Sequence, residues 1–511
     1  MRVAIRADAS ARIGSGHVMR CLTLAESLRA RGAEVHFVCR AHAGHMAARI
    51  EAAGFAVTLL PAPPPVSAPV ADADYAAWLG VPAETDAHQM IVALDGWRPD
   101  WLVVDHYALD ARWQQELRPH CDRIMVIDDL ADRDHDCDLL LDQNLVSELA
   151  GRYDGCVSSH CGRLLGPDYA LLQPRYAELH PRTPPRTGRI QRIFVFFGMV
   201  DDANLTGRTI AAFLALERPD IGLDVVIDPE SAHAAALREQ ATAHAHIILH
   251  GPLPSLARLM MKADLAIGAG GATSWERCCL GLPSLVVTLA ENQTPIAAAL
   301  DRQGCIRWLG HRDTVSEDML TSALQEILKT GPASEMSRRC LALVDGRGTD
   351  RVAGIMALRH ETRLTARLAR VDDEALILRW ANDPLARRNA FNPAAIDPDG
   401  HRAWFHKRLR DPDGCRIYIV ETEHGLPIGQ VRFELSDDGW TIDYALDASV
   451  RGQKLGANLL QSALHAFRRS MRGALVFGRV KADNRPSRNV FERLGFTAEA
   501  GGGQLVYRRL L

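Results

Sequence analysis

The chain has 511 residues, 47% of them apolar and 24% charged, with a formal net charge of −4 and a pI near 6.6. That length exceeds one ordinary core and implies two or three domains, and so small a net charge supplies no global field for nucleic acid or an anionic membrane. No apolar run of about 18 residues marks a membrane span, no basic-then-apolar leader opens the chain, and eleven scattered cysteines without a CxxC spacing argue against a zinc site or a disulfide framework and for reduced thiols in a cytoplasm.

In chain order, short apolar runs at Val3–Ala7, Glu34–Cys39, Ala56–Leu60, Trp101–Asp105, Arg123–Asp128 and Leu139–Asp142 read as strands. Helical patterns fit between several of them, as parallel βαβ units require. Pro61-Ala62-Pro63-Pro64-Pro65 reads as a loop, and Pro181-Arg182-Thr183-Pro184-Pro185-Arg186 as a linker. The alternation then restarts, with strands at Arg192–Phe197, Leu223–Ile227, His246–Leu249, Leu265–Ile267 and Ser284–Val287 and a helix from about Leu205 to Ala215. A helical, polar stretch from about Gly346 to Glu361 is expected to separate this pair from a third part.

The third part has another rhythm. A strand near Leu364–Arg370 is followed by helical patterns around Asp373–Trp380 and His401–Leu409. Antiparallel-type strands come next at Arg416–Glu421, Pro427–Glu434 and Thr441–Leu446. A helix Leu455–Phe467, a strand Ala474–Val480, a helix Arg485–Leu494 and a strand Gln504–Arg508 complete it. The expected fold is therefore α/β, two Rossmann-like domains at 1–182 and 188–345, followed by an α+β domain at 363–511.

Gly14-Ser15-Gly16-His17 follows the first strand and opens a helix. Such a turn presents unpaired backbone N–H groups to a phosphate, and His17 adds a titratable nitrogen beside it. In the second domain Gly268-Ala269-Gly270-Gly271-Ala272-Thr273-Ser274 repeats the arrangement, and Glu276 in the first turn offers a carboxylate for both hydroxyls of a ribose. His106 and Tyr107 end an apolar strand, where side chains enter the cleft of a doubly wound sheet.

The string Arg6-Ala7-Asp8-Ala9-Ser10 through Gly14-Ser15-Gly16-His17-Val18-Met19-Arg20-Cys21 resembles the UDP-sugar hydrolase of pseudaminic acid biosynthesis. Further matches are Val104-Asp105-His106-Tyr107, Ile127-Asp128-Asp129-Leu130, Gly166-Pro167-Asp168-Tyr169-Ala170-Leu171-Leu172, and the Gly270–Glu276 turn with Asn292-Gln293 downstream. The resemblance covers about residues 1–345. It implies the GT-B architecture and cleavage of UDP-2,4-diacetamido-2,4,6-trideoxy-β-L-altropyranose by water. His17, kept neutral at a helix N-terminus, would be the general base, and Asp8 or Asp105 would orient the histidine or the sugar. Gly14, Ser15, Gly16, Asp8, Tyr107, Gly270, Gly271, Thr273, Ser274, Glu276, Asn292 and Gln293 would hold the substrate. No metal is required. The chain departs from the family at Phe197-Gly198-Met199-Val200-Asp201, where a Gly-Gly-Ser-Asp type loop is common, and at Gln173-Pro174-Arg175.

Arg451-Gly452-Gln453-Lys454-Leu455-Gly456-Ala457 lies between a strand and an amphipathic helix, a turn able to hold the pyrophosphate of coenzyme A. With Asn484 and Asn489-Val490-Phe491-Glu492-Arg493-Leu494-Gly495-Phe496 it resembles the GNAT acetyltransferases over about residues 363–511, with Lys454 where a glycine is usual. Trp380-Ala381-Asn382-Asp383-Pro384, Phe391-Asn392, His401, Trp404-Phe405 and Ile428-Gly429-Gln430-Val431-Arg432-Phe433 look like the amino-sugar N-acetyltransferase of the same pathway. The resemblance implies acetyl-CoA as co-substrate and the 4-amino group of a UDP-linked amino sugar as acceptor. Many relatives carry a tyrosine acid where this chain has Phe491. Glu434 and Asp443 are candidates for a base acting directly or through water. The rival reading is a GT-B glycosyltransferase fused to a protein or small-amine acetyltransferase.

Overall fold

The computed structural model describes residues 1–10, 12–64, 75–331, 334–501 and 504–511, so Pro65 of the expected proline loop lies outside the described residues. The chain divides into two compact units, Met1–Ala353 and Gly354–Leu511.

The first unit holds two parallel sheets. Strands β1 (Arg2–Ala7), β2 (Glu34–Arg40), β3 (Ala56–Leu60), β4 (Trp101–Asp105), β5 (Arg123–Ile127), β6 (Leu139–Asp142) and β7 (Gly162–Leu165) run in the order β3-β2-β1-β4-β5-β6-β7. Strands β8 (Arg192–Phe196), β9 (Gly222–Val226), β10 (Ile247–His250), β11 (Leu265–Ala269), β12 (Ser284–Thr288) and β13 (Arg307–His311) run in the order β10-β9-β8-β11-β12-β13. Both orders reverse direction next to the first strand, so each sheet opens a crevice at the carboxyl ends of β1/β4 and β8/β11. The central strands are buried on both faces, as helices on either side demand. Each fully buried Val, Leu or Ile there contributes roughly 1.5–3 kcal/mol of transfer free energy.

Both connecting stretches are held by hydrogen bonds. The linker Pro181–Arg186 is tied down: Arg186 donates to the carbonyls of Ala263 and Met260, both at 3.1 Å, and its N–H donates to Ser337 Oγ at 2.8 Å. The Gly346–Glu361 stretch is helical and contains the boundary between the two units, as expected, but it is not polar throughout. It forms the helix Gly348–Ala357, whose Val352, Ala353, Ile355 and Met356 are buried. Its start packs back onto the first sheet's side of the unit, with Thr349 Oγ1 donating to the Leu172 carbonyl at 2.7 Å. Gly348 lies so close to Ala170 that a Cβ would stand 2.3 Å from its carbonyl oxygen.

The second unit is a single mixed sheet of β14 (Leu364–Leu368), β15 (Cys415–Thr422), β16 (Pro427–Ser436), β17 (Gly439–Leu446), β18 (Leu475–Lys481), β19 (Thr497–Gly501) and β20 (Gln504–Leu510), in the order β14-β15-β16-β17-β18-β20-β19. All neighbours are antiparallel except β17 and β18, which are parallel and pair only at Trp440↔Val476 and Thr441↔Phe477. The helix Gly456–Ser470 buries Leu459, Leu460, Ala463, Leu464 and Phe467. Its Phe467 ring stacks on Phe433 of β16, with ring centroids 4.1 Å apart. The α/β then α+β organisation expected from the sequence is the one observed.

Candidate active sites

In the first unit the turn after β1 is shaped by Ser10, whose carbonyl accepts from Gly14 N–H at 2.9 Å and whose Oγ accepts from the N–H groups of Arg12 and Ile13 at 3.2 and 3.0 Å. Gly14 has φ of +76°, which a side chain disfavours, and a Cβ on Gly14 or Gly16 would meet nothing within 4 Å. The loop is thus open above its backbone. Ser15 caps the helix Gly16–Ala30 without a side-chain hydrogen bond, so first-turn N–H groups lack an intrahelical partner.

His17 stands in that first turn, and its Nδ1 lies 2.6 Å from Asp105 Oδ1 at the end of β4. Arg20, one turn on, donates from Nε to Asp105 Oδ2 and from Nη2 to Oδ1, both at 2.7 Å, and from Nη1 to Asp129 Oδ2 at 2.8 Å. Tyr107 donates to Asp129 Oδ2 at 2.6 Å and Asn144 Nδ2 to Oδ1 at 2.7 Å. Burial alone would raise the Asp105 carboxyl, but Arg20 and His17 beside it hold it well below the usual carboxylate range. An ionised Asp105 fixes the N–H of His17 on Nδ1 and leaves the lone pair on Nε2. The rings of Tyr107 and Trp78 meet His17 edge-on, with centroids at 4.7 and 6.4 Å, and Tyr75 packs on both.

Asp8 does not share this site. It is fully buried and accepts from Arg6 Nη1 and Nη2 at 2.6 and 2.8 Å and from Arg40 N–H at 2.6 Å. Asp8 is spent on Arg6 and Arg40 with no surface left for a sugar, so of the two residues expected to orient His17 it is Asp105 that lies against the ring. His106 belongs to the Asp8 side, with Nε2 3.6 Å from Asp8 Oδ2, and burial pushes it down to about 3. Adjacent residues at a strand end point to opposite faces, so His106 and Tyr107 serve different clusters. Sequence reading assigned no role to Arg20, Asp129, Asn144, Tyr75 or Trp78, although Arg20 and Asp129 lie inside the matching strings.

In the second sheet a Cβ on Gly268 would stand 2.3 Å from the Phe196 carbonyl oxygen and 2.6 Å from Arg277 Nη1. Arg277 is buried and donates from Nη2 to the Ala269 carbonyl at 2.7 Å and to Ser274 Oγ at 2.9 Å. The Ser274 hydroxyl therefore braces the turn, which corrects its expected place against substrate. Gln293 is likewise a buttress, its Oε1 accepting from Leu289 N–H at 2.9 Å while its side chain backs Gly270 and Gly271. Gly271, Thr273 and Asn292 are half-buried at the turn's surface. Glu276 keeps Oε2 buried and without a hydrogen-bond partner. Burial pushes its carboxyl up to about 7 against the Tyr176 phenol beside it.

In the second unit Gly452 and Lys454 adopt φ of +77° and +60°, so the lysine holds a left-handed conformation where a glycine is usual. Gln453 keeps Oε1 buried and unpartnered. Leu455 and Ala457 are packed into the core, so they can offer only backbone. A Cβ on Gly456 would lie 3.1 Å from Val490 Cγ2 and 3.4 Å from Leu446 Cδ1. Arg451 is spoken for by Asp383 Oδ1 at 2.6 Å, and Asn484 Oδ1 accepts from Ser487 N–H at 3.2 Å. Neither of the expected bases is an isolated carboxylate. Glu434 is paired with Arg408 and, at 3.5 Å, with Arg432, while Asp443 accepts from Arg432 at 2.8 Å. That arginine also covers the Trp404 ring at 5.1 Å. His401 is buried and stacked on Phe405.

Among the described residues no group of three or more His, Cys, Asp and Glu side chains is gathered as for a metal ion, and no helix is long and apolar enough to cross a membrane.

Residues 363–497 match the family described as acetyltransferase (GNAT) domain. The C-terminal unit carries a GNAT acetyltransferase domain. The chain is 30% identical over 204 residues to the spore coat polysaccharide biosynthesis protein SpsG of Bacillus subtilis (strain 168), covering 39% of this chain and 59% of that protein. It is 23% identical over 306 residues to the UDP-2,4-diacetamido-2,4,6-trideoxy-beta-L-altropyranose hydrolase of Campylobacter jejuni subsp. jejuni serotype O:2, covering 60% of this chain and 97% of that protein. The chain spans little more than half the length of two curated relatives it matches, 59% and 56%. Among solved structures, Acinetobacter baumannii MurG aligns with a TM-score of 0.49 at 14% identity, over 70% of this chain and 99% of that one. Both resemblances drawn from the sequence, hydrolase at the front and GNAT at the rear, meet a counterpart in these matches.

Proposed function

We propose that this chain is a bifunctional sugar-nucleotide enzyme with domains at 1–182, 188–345 and 363–511. The first two hydrolyse a UDP-linked diacetamido-trideoxyhexose, the altro sugar named for the Campylobacter relative, and the third acetylates the 4-amino group of its UDP-linked precursor with acetyl-CoA. The observation that carries the hydrolytic reading is the His17–Asp105 contact of 2.6 Å at the mouth of a glycine turn. Nε2 of His17 takes a proton from water, the water oxygen bonds to the anomeric carbon, and the bond to the diphosphate oxygen breaks on the opposite side. N–H groups of the Gly14–Gly16 and Gly270–Thr273 turns stabilise the charge growing on the departing diphosphate, and the spare oxygen of Glu276 suits the ribose hydroxyls. The step inverts the anomeric centre and draws on no metal.

In the third domain the backbone of Gly452–Ala457 holds the pyrophosphate of acetyl-CoA, with Gln453 and Asn484 beside it. The acceptor amine loses its proton to water ordered by the Glu434–Arg432–Asp443 array. The hydrolytic reading is tested by UDP release without any sugar acceptor. His17→Gln should lower the rate ~10²–10⁴-fold with UDP affinity kept, and a variant as fast as the wild type would overturn the assignment.

A further inference from the structure

We propose that the Tyr444 hydroxyl, held by Ser487, protonates the departing thiolate of coenzyme A, filling the place left by the carbon ring of Phe491. The inference rests on the acetyltransferase reading above. Parallel strands β17 and β18 part after Thr441 and Phe477, while β17 stays paired to β16 as far as Leu446. From Ile442 onward one edge of β17 therefore faces an opening. Its inside–outside alternation also stops there, with Tyr444, Ala445 and Leu446 all half-buried. The glycine turn reaches the same opening, since a Cβ on Gly456 would lie 3.4 Å from Leu446 Cδ1 on β17 and 3.1 Å from Val490 Cγ2 on the helix Arg485–Arg493.

Phe491 cannot serve. It is buried, and its ring occupies the place a side chain on Gly478 would take, a Cβ there lying 2.2 Å from Cζ. The ring stacks on Tyr507 and meets Tyr444 edge-on at 6.0 Å. Tyr444 Oη and Ser487 Oγ are 2.7 Å apart, and Asn484 fixes the Ser487 backbone. With Ser487 as donor in that bond, the Tyr444 O–H is free to point into the opening. Burial pushes the phenol up to about 12 while the Ser487 hydrogen bond works against it, so Tyr444 carries its proton at neutral pH.

The acceptor nitrogen bonds to the thioester carbonyl carbon, and the carbon–sulfur bond breaks with its electron pair on sulfur. Sulfur takes the Tyr444 proton, and Ser487 steadies the phenolate. The surplus proton of the nitrogen passes to water, from which Tyr444 regains its own.

The test uses the full chain and calorimetric titration with coenzyme A and with desulfo-coenzyme A, beside thiol release from acetyl-CoA and the UDP-linked 4-amino sugar. Tyr444→Phe should bind coenzyme A about 5-fold more weakly, bind desulfo-coenzyme A as the wild type does, and release thiol ~10²-fold more slowly or worse. Ser487→Ala, which keeps the phenol, should fall between. A Tyr444→Phe chain with wild-type affinity for both ligands and a rate within about 3-fold of wild type would overturn the proposal. A wild-type chain that binds neither ligand would instead remove the acetyltransferase reading on which it stands.

Discussion

Asp105 lies between a guanidinium and an imidazole, whereas the Glu276 carboxyl faces the Tyr176 phenol. The first is held ionised and the second is pushed up to about 7 by burial. Asp105→Asn should cost hydrolysis about 10²-fold or more, because His17 loses the carboxylate that fixes its tautomer. It should also cost on the order of 3 kcal/mol in stability, because Arg20 loses half its charge partners in a buried place; denaturant melts and UDP release measure the two. For Glu276 the sign runs the other way. The folded chain keeps this proton from the ordinary 4.5 up to about 7, so stability falls as pH rises through that window. Glu276→Gln should therefore melt about 2–4 °C higher than wild type at alkaline pH and no higher in acid. Its UDP affinity should be about 10-fold weaker and flat with pH, where that of the wild type strengthens between about pH 6 and about pH 8. His17 and Glu276 were legible because each follows a glycine turn. Arg20 and Asp129 were not, since their roles depend on β4 and β5 lying side by side, a pairing that no local pattern announces.

At the scale of elements, the strands that sequence reading passed over are β7, β13 and β19, and each is the edge of its sheet. An edge strand is covered on fewer sides, so its apolar signal is thin: β13 is half-buried throughout, and β19 reads Thr-Ala-Glu-Ala-Gly. The central strands β4 and β6 were placed to the residue, because a strand buried on both faces is an unbroken apolar run. The glycine turns act through space as much as through torsion. Gly268→Ala should cost about 1–3 kcal/mol, because its Cβ would lie 2.3 Å from the Phe196 carbonyl oxygen on the neighbouring strand. An unchanged denaturation midpoint for that variant would contradict the packing described for the turn. Gly14, with open space above it, permits a conformation instead, and Lys454 shows that a side chain can tolerate that region.

On the scale of the molecule, both parallel sheets followed from strand–helix alternation, but the buried face of the helix at the end of the first unit did not. The Gly346–Glu361 stretch looked polar because its charged residues form contacts of their own: Asp350 accepts from Ser27 and Arg31 at 3.0 Å, and Arg351 donates to the Asp168 carbonyl at 2.8 Å. A chain ending at residue 345 should thus melt lower than one ending at 357, by several degrees for every few kcal/mol lost, and equal melting would show the helix to be dispensable. The central claim is water attack at the anomeric carbon, driven by His17 and fed by the chain's own acetylation. Mass spectrometry of products formed from the UDP-linked 4-amino sugar and acetyl-CoA in heavy-oxygen water tests it most directly. The wild type should yield acetylated free sugar that carries the heavy oxygen together with unlabelled UDP, and His17→Gln should stop at the acetylated UDP-sugar. Heavy oxygen in the UDP, or undiminished sugar release by the variant, would contradict the account.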